Sequence, residues 1–386
     1  MKMYKVVDMN KCKTRWNGRN VEYIIPTEAL KSLNVEENEP FEVYFRGNSF
    51  EPHSITHYAI LKKYVDGPTQ TALYFCNEQE LKNYCNKVKI KKMIDSYNFN
   101  PESVYQTIYD AFKLWANNTK ANKFVVGISG GKDSTVVAAL LVSIFGKERV
   151  HGVLMPQGTQ SDIHDSFDVV KILGISHSII NIGESVSAIT KQIWDRRSMD
   201  NVYPSKDMEI NLPARIRMST LHAIGQCIGG RVINTSNLSE DVVGYATQFG
   251  DNAGAYAPIQ GLTVTEVKQL GKYVASLLLD RGKLGDATVK ERIPDLSWAT
   301  HPVDGYKRLI ELIDKTPADG LQAQSDEERL GITYKQIDDF IRFNKGDDEV
   351  KEKIRKKYKQ NKFKLEIVQM PQPDFSYLPN FVKDNA

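Results

Sequence analysis

Hydrophobic and polar positions follow different patterns in the two parts of the chain. Before residue 95, short runs rich in β-branched and aromatic residues stand between Asn, Gly and Pro turns, which predicts strands. The runs cover residues 21–25, 41–45, 58–61 and 72–75. A helix is predicted from Asn77, because Asn-Glu-Gln-Glu resembles a capping box ahead of Leu81. Residues 1–95 are therefore predicted to form a small α+β domain, whose role the sequence does not indicate.

From Pro101 onwards the pattern predicts strands that alternate with helices. Apolar runs predict buried strands, and apolar stripes at a spacing of three and four residues predict helices. The predicted strands are 123–129, 150–154, 178–181 and 231–235, and the predicted helices are 101–118, 135–145, 162–173 and 212–228. This alternation is typical of an α/β fold with a parallel twisted sheet and helices on both faces. We expect this domain to span residues 96–370 and a C-terminal tail to cover 371–386.

Composition and charge exclude several classes of protein. The chain has 386 residues, a formal net charge of +3 and four cysteines without a CxxC pair. A disulfide scaffold or a zinc site is not expected, and the cytoplasm is the expected compartment. No apolar run is long enough to span a membrane. Because the charge is small, nucleic acid is not an expected partner, and the lysine-rich stretches 82–92 and 351–364 are interpreted as solvated helix faces.

The strongest functional signal lies between a predicted strand and a predicted helix. It reads Gly127-Ile128-Ser129-Gly130-Gly131-Lys132-Asp133-Ser134-Thr135. Adjacent glycines let backbone N–H groups approach an anion, hydroxyls add donors, and the helix N-terminus adds positive potential. Such a loop suits pyrophosphate, and Asp133 suits the Mg²⁺ that accompanies ATP. A plain strand-to-helix turn with Asp133 as N-cap is the alternative.

Six further motifs follow in order. They are 155–162 (MPQGTQSD), 211–218 (NLPARIRM), 234–240 (NTSNLSE), 244–251 (GYATQFGD), 257–259 (API) and 317–331 (PADGLQAQSDEERLG). Together with the Ser-Gly-Gly-x-Asp-Ser loop they resemble the ammonia-dependent NAD synthetases, within the PP-loop ATP pyrophosphatases, across residues 101–345. The resemblance implies that nicotinate adenine dinucleotide, ATP and ammonia give NAD, AMP and pyrophosphate through an acyl-adenylate.

The resemblance also implies roles for individual residues. Those expected to bind ATP are Gly127, Ser129, Gly130, Gly131, Lys132, Asp133, Ser134, Gln157, Ser161, Arg215, Thr235, Asp319, Gln324 and Asp326. Asp133 and Glu240 would hold Mg²⁺ jointly, and Asp251 of the substrate loop completes the expected catalytic set. Two alternatives stay open. Glu240 could form a plain ion pair with Arg215, and Thr235 could cap a helix that begins at Asn237.

The chain departs from the family pattern at several positions. Val264 replaces a usual lysine, Pro317 a hydroxyl residue and Ala255 an aspartate, and the family's His-Lys-Arg segment has only 361–364 (NKFK) as a counterpart. Two classes of alternative follow. The first is another PP-loop ligase, which amidates a different acid or modifies tRNA, and the second is an inactive nucleotide-binding regulator. Neighbours that could compensate for the missing cation and hydroxyl are Lys268, Lys315 and Thr316.

The resemblance implies partners as well as substrates. Family members of the ammonia-dependent kind form homodimers, with the dinucleotide bound near the interface. Residues 1–95 are too short for the glutaminase domain that some relatives carry. The expected nitrogen source is therefore free ammonia, or ammonia from a separate glutaminase subunit.

Overall fold

The chain divides into two compact units, Met1–Ser96 and Tyr97–Ala386. The structure, a computed structural model, describes residues 99–159, 163–282, 302–315, 326–367 and 370–384, and before these the backbone of six strands. Each unit has its own β-sheet.

The first unit contains a six-stranded sheet. Its strands are β1 (Lys5–Asp8), β2 (Lys13–Trp16), β3 (Val21–Ile25), β4 (Pro40–Arg46), β5 (His57–Lys63) and β6 (Gln70–Phe75), in the order β1-β4-β5-β6-β3-β2. The pair β1–β4 is parallel and the other pairs are antiparallel. The four predicted runs coincide with β3 to β6. Strands β1 and β2 were not predicted from the sequence, because half of their residues are charged. The predicted helix from Asn77 and the lysines of 82–92 lie outside the described residues.

The second unit is built on a four-stranded parallel sheet. Its strands are β7 (Lys123–Gly127), β8 (Val150–Leu154), β9 (Ser176–Ile179) and β10 (Gly230–Val232), in the order β10-β7-β8-β9. Phe124 stands opposite Val150 in the central pair. All four strands were predicted, although β9 begins two residues earlier and β10 ends at Val232 rather than at residue 235. Their carboxyl ends share one edge of the sheet, where α/β proteins bind ligands.

The helices of the second unit lie before, between and after the strands of its sheet. In chain order they are α1 (Pro101–Asn118), α2 (Lys132–Phe145), α3 (Ile163–Leu173), α4 (Gly183–Asp200), α5 (Lys206–Ile228), α6 (Leu238–Val243), α7 (Val264–Asp280), α8 (Pro302–Asp314), α9 (Asp326–Leu330), α10 (Tyr334–Phe343), α11 (Asp348–Asn361), α12 (Phe363–Ile367) and α13 (Phe381–Asp384). Within the described ranges, no helix is long and apolar enough to cross a membrane. Helix α5 begins before residue 212, because Ser205 caps it by accepting from Met208 N at 3.2 Å.

Helices cover both faces of this sheet, as predicted. Phe124 and Val126 point to the larger cluster, which includes the apolar residues of α1, α2, α3, α7 and α8. Val125 and Val153 point to a second cluster, against which Leu221 of α5 packs. Helix α2 is the central element, since every residue except Asp133 is buried. Asp133, in the first turn of α2, therefore lies at the edge of the core.

Residues 370–384 also pack against this core. Pro371 O accepts a hydrogen bond from Ala257 N at 2.9 Å. Phe375 and Leu378 are buried in the larger cluster. Arg342 of α10 donates to Pro379 O at 2.7 Å. The segment predicted as a tail therefore stabilises the start of α7, close to the candidate site.

Candidate active site

The loop of residues 128–131 joins the carboxyl end of β7 to the first turn of α2. Ile128 N donates to Val153 O at 2.9 Å, so the loop continues the pairing of β7 with β8. The hydroxyls of Ser129 and Ser134 lie 3.1 Å apart, and Ser134 Oγ also donates to Gly131 O at 3.1 Å. Gly131 is the N-cap of α2 and brings no side-chain bond to it. The first N–H groups of this helix thus have the arrangement that binds an anion.

Gly130 is fixed at its position for two reasons. Its φ angle is +79°, a conformation that favours glycine. A Cβ atom at this position would lie 2.5 Å from Asp165 Cβ and 2.8 Å from Ser166 N. The loop therefore lies directly against the start of α3. The close approach of backbone N–H groups to an anion, which the adjacent glycines predicted, stays a prediction.

Asp133 and Glu240, the two predicted metal ligands, converge on a single point. The Lys132 Nζ atom lies 2.7 Å from Asp133 Oδ2 and 3.1 Å from Glu240 Oε1. The Lys132 side chain is 1% exposed, and the two carboxylates are 16% and 18% exposed. One cation therefore already stands between carboxylates that come from α2 and α6. This finding contradicts the alternative ion pair between Glu240 and Arg215.

Electrostatics favour the charged form of this lysine. Burial alone would lower the pKa of Lys132, but the charges of Asp133 and Glu240 outweigh it and raise the pKa above its ordinary value. Burial raises the pKa of Glu240, although the Lys132 ammonium opposes this shift. The Tyr334 ring completes the cage, with its centroid 5.2 Å from Lys132 Nζ.

Asn237 is a site residue to which the sequence motifs assigned no role. Its Oδ1 accepts from Glu240 N at 3.0 Å and so caps α6, while its Nδ2 donates to Asp133 Oδ1 at 3.1 Å. It is fully buried. The cap is Asn237 and not Thr235, so the capping role considered for Thr235 is wrong. An asparagine before Leu-Ser-Glu was a readable capping signal, but its bond to Asp133 depends on the fold.

The substrate loop, residues 244–251, is held by bonds from three directions. Asp251 Oδ1 accepts from Thr247 N at 2.6 Å, which closes the turn. Arg215 Nε donates to Gln248 O at 3.2 Å from the exposed face of α5. Lys364 Nζ donates to Gly244 O at 2.8 Å. Lys364 belongs to the segment that replaces the family's His-Lys-Arg, and it brings a cation to this loop.

Other predicted residues lie around the same edge. Thr235 is partly buried just beyond β10, and Gln157 is partly buried in the turn after β8. Asp326 is only 5% exposed and starts α9, where its carboxylate accepts from the hydroxyls of Tyr245 at 2.7 Å and Tyr334 at 3.3 Å. Asp326 therefore supports the ring that covers Lys132. The predicted residues that lie outside the described ranges are Ser161, Asp319 and Gln324.

The departures from the family pattern have structural consequences. Val264 is buried in the first turn of α7, and its N–H donates to Ser239 Oγ at 3.0 Å. One turn later, Lys268 donates to Asp314 O at 2.9 Å. The charges of Lys132 and Asp133 act on its pKa, which burial lowers. A cation thus lies near the carboxylate pair without a lysine at position 264.

Comparisons with known proteins identify relatives of this chain. The sequence model described as NAD synthase matches residues 104–374. An NH₃-dependent NAD⁺ synthetase of Pyrococcus furiosus is 33% identical over 221 residues, which are 56% of this chain and 70% of that protein. One of Archaeoglobus fulgidus is 30% identical over 262 residues, which are 67% of this chain and 90% of that protein. Among solved structures, an NMN synthetase of Francisella tularensis aligns with a TM-score of 0.56 and 27% identity, and covers 71% of this chain and 99% of its own.

Proposed function

The chain belongs to the NAD synthase family, and from that premise we propose the part that its residues take in the reaction. It is a carbon–nitrogen ligase that amidates a nucleotide-bound carboxylate to form NAD at the expense of ATP. This activity sets aside two of the alternatives, a tRNA-modifying ligase and an inactive regulator. The fold and the family were both predicted correctly from the sequence.

The chemistry of the reaction explains why ATP is needed. A carboxylate does not react with ammonia, because its leaving group would be oxide. An oxygen of the nicotinate carboxylate attacks the α-phosphorus of ATP, the bond to the β-phosphate breaks, and pyrophosphate leaves. Ammonia then attacks the carbonyl carbon of the acyl-adenylate, the acyl C–O bond breaks, AMP leaves and a proton is lost. The protein has to align the reactants and stabilise negative charge.

The loop of residues 128–131 is proposed to bind the leaving pyrophosphate. Backbone N–H groups at the start of α2 and the hydroxyls of Ser129 and Ser134 supply donors for phosphate oxygens. Gly130 keeps this loop against α3, so the donors are in place before ATP binds. Gly127, at the end of β7, and Gly131 leave room for the phosphates beside the backbone.

Asp133 and Glu240 are proposed to hold Mg²⁺. They fit this role because they already place oxygens within about 3 Å of one cationic nitrogen. In the described ranges, no group of three or more His, Cys, Asp or Glu side chains is arranged to hold a metal ion. Phosphate oxygens and water would thus complete the coordination, as Mg²⁺ prefers. When bound, the ion would neutralise phosphate charge and favour the departure of pyrophosphate.

The other predicted residues remain proposals for nucleotide contacts. Thr235 follows β10 and Gln157 follows β8, the two strands that flank β7 and its loop, where ATP would extend from the loop. The guanidinium of Arg215 is exposed beside the substrate loop and suits a phosphate. Asp251 is proposed to orient the acid substrate through that loop. The other residues proposed to contact ATP are Ser161, Asp319, Gln324 and Asp326.

The observation that carries this assignment is the convergence of Asp133 and Glu240 beside the phosphate-binding loop. Its test is a reaction with MgATP, nicotinate adenine dinucleotide and ammonium. NAD is measured with a coupled dehydrogenase, and AMP and pyrophosphate are measured in parallel. We expect the three products in equal amounts, and Asp133→Asn should abolish all three.

Asp339→Asn is the matched control for this experiment. Asp339 also pairs with a lysine, at 2.6 Å, but on the exposed face of α10. This variant should retain wild-type rates. AMP formation without NAD would keep the ATP chemistry and reject the acid substrate. Equal losses in the two variants would reject the assignment of Asp133.

Nicotinate mononucleotide is the second acid to test. The similarity to an NMN synthetase favours it, because that product carries the same amide on a smaller nucleotide. Nicotinate mononucleotide and nicotinate adenine dinucleotide are compared at equal concentration in the same assay, with AMP as the common product. A higher kcat/KM for nicotinate mononucleotide would make NMN the main product of the chain.

A homodimer is proposed from the surface of α4, of the segment that follows it and of the start of α5. Large apolar side chains are exposed there: Ile189, Trp194, Met199, Val202, Tyr203 and Ile210. A second copy of the chain would bury this patch by two-fold symmetry. Light scattering should report a dimer, and Met199→Glu should convert it to a monomer. Leu114→Glu, at another exposed apolar position on α1, should leave the dimer intact.

Free ammonia in the cytoplasm is the proposed nitrogen source, with a separate glutaminase subunit as the alternative. Purified chain should therefore form NAD with ammonium but not with glutamine. Activity with glutamine in a cell extract, lost on purification, would favour the separate subunit.

A further inference from the structure

A fully buried lysine occupies the centre of the candidate metal site. Lysine carries its charge on a flexible stem and rarely lies inside a protein unless that charge is paired. The Lys132 side chain is 1% exposed. The hydroxyls of Ser129 and Ser134 contact each other within the loop, whereas the Lys132 ammonium group is turned toward Asp133 and Glu240. A residue that served only to bind phosphate would not need this internal position.

The contacts of Lys132 form a closed set. Asp133 Oδ2 accepts at 2.7 Å and Glu240 Oε1 accepts at 3.1 Å. The face of Tyr334 lies 5.2 Å away. The second oxygen of Asp133 is occupied by Asn237 Nδ2 at 3.1 Å. The ammonium group therefore supplies the positive charge that two adjacent carboxylates require, at the point where a metal ion would bridge them.

We propose that Lys132 is an internal cation that competes with divalent metal for the Asp133–Glu240 pair, so that the pair takes up metal only together with ATP. This inference rests on the proposed metal site. Without nucleotide, a metal ion would have to displace the Lys132 ammonium group from the two carboxylates. Because the Lys132 side chain is enclosed, the displaced ammonium group could not move into solvent. Phosphates in the adjacent loop offer the ammonium a new anionic partner, and they offer the ion additional ligands. Metal and nucleotide thus increase each other's affinity by the same factor.

The first test measures metal binding to the full chain without nucleotide. Mn²⁺ serves as the probe, and free Mn²⁺ is followed by electron paramagnetic resonance. Wild type should bind Mn²⁺ at least ten times more weakly than Lys132→Gln. Lys335→Gln removes the exposed lysine that pairs with Asp339 and should behave as wild type. Equal affinity of wild type and Lys132→Gln would overturn the proposal.

A double variant locates the gained site. Adding Glu240→Gln to Lys132→Gln should remove the gained affinity, because one carboxylate of the pair is lost. Retained affinity in the double variant would place the ion elsewhere and also overturn the proposal. These binding measurements are independent of turnover. Failure of the wild type to form NAD would reject the proposed function, whereas tight Mn²⁺ binding by an active wild type would reject only the role of Lys132.

A second measurement uses wild type alone, in case Lys132→Gln does not fold. The melting temperature is recorded with Mn²⁺, with a non-hydrolysable ATP analogue, and with both. We expect Mn²⁺ alone to leave the melting temperature unchanged. With the analogue bound, added Mn²⁺ should raise the melting temperature above the value with the analogue alone. An equal rise by Mn²⁺ with and without the analogue would show that Lys132 does not compete with the ion.

Discussion

Gly130→Ala should destabilise the fold more than an alanine at another glycine of similar conformation. Gly130 has a φ angle of +79°, and Gly229, at the end of α5, has +67°. Both alanines carry the cost of a left-handed conformation, about 1–2 kcal/mol. Only at position 130 would the new Cβ meet other atoms, at 2.5 Å from Asp165 Cβ and 2.8 Å from Ser166 N, whereas nothing lies within 4 Å of it at position 229.

The additional contact sets the expected difference between the two variants. Overpacking of a close contact costs about 1–3 kcal/mol. The expected loss in the free energy of unfolding is therefore about 2–5 kcal/mol for Gly130→Ala and about 1–2 kcal/mol for Gly229→Ala. Urea denaturation of the full chain measures both. The reasoning is refuted if the two variants lose the same stability, since the approach of α3 to the loop would then have no energetic weight.

Three further predictions concern particular contacts. Asn237→Ser keeps the helix cap but loses the donor to Asp133, so NAD formation should fall about tenfold or more at nearly unchanged stability. Arg342→Met should cost about 3–5 kcal/mol of unfolding free energy, because Glu266, bonded at 2.7 Å, stays buried without its guanidinium. Burial lowers the pKa of His151, so the unfolded chain binds its proton more readily and stability falls with pH below about 6.5. His151→Gln should flatten that fall in denaturation curves between about pH 7 and about pH 5.

Each of these predictions has an outcome that contradicts it. Unchanged turnover in Asn237→Ser would show that Asp133 does not need the amide. Unchanged stability in Arg342→Met would show that the buried Glu266 does not need its guanidinium partner. For His151, an exposed histidine on α5, His222, provides the comparison, and equal slopes for His151→Gln and His222→Gln would contradict the assigned shift.

The sequence predicted the parts of the fold that depend on short-range patterns. Strands β7 and β8 are short and mostly apolar, and α1 carries Val104, Ile108 and Phe112 at helical spacing, so all three were predicted, although β7 ends at Gly127 rather than at residue 129. Helix α4 was not predicted, because none of its side chains is buried and its apolar residues follow no single stripe. Its sequence reflects a surface rather than a core, and periodicity carries little information there.

The site was predictable in its components but not in its internal contacts. The loop followed from its motif, and the pair Asp133–Glu240 from the family resemblance, which placed both carboxylates in loops and helices that follow strands of one sheet. The direction of Lys132 depends on Glu240, which lies 108 residues away along the chain. The burial of Asp326 depends likewise on Tyr334 and Tyr245, which come from other elements. Contacts of this kind arise from tertiary packing and leave no local pattern.

The central claim is that the chain activates a carboxylate by adenylation. The most direct test uses nicotinate adenine dinucleotide with ¹⁸O in the nicotinate carboxylate, together with MgATP and ammonium. If a carboxylate oxygen attacks the α-phosphorus and ammonia then displaces AMP, one ¹⁸O atom passes to AMP and none to pyrophosphate. Mass spectrometry should find this label in AMP at one atom for each NAD formed. Unlabelled AMP, or label in the pyrophosphate, would contradict the account.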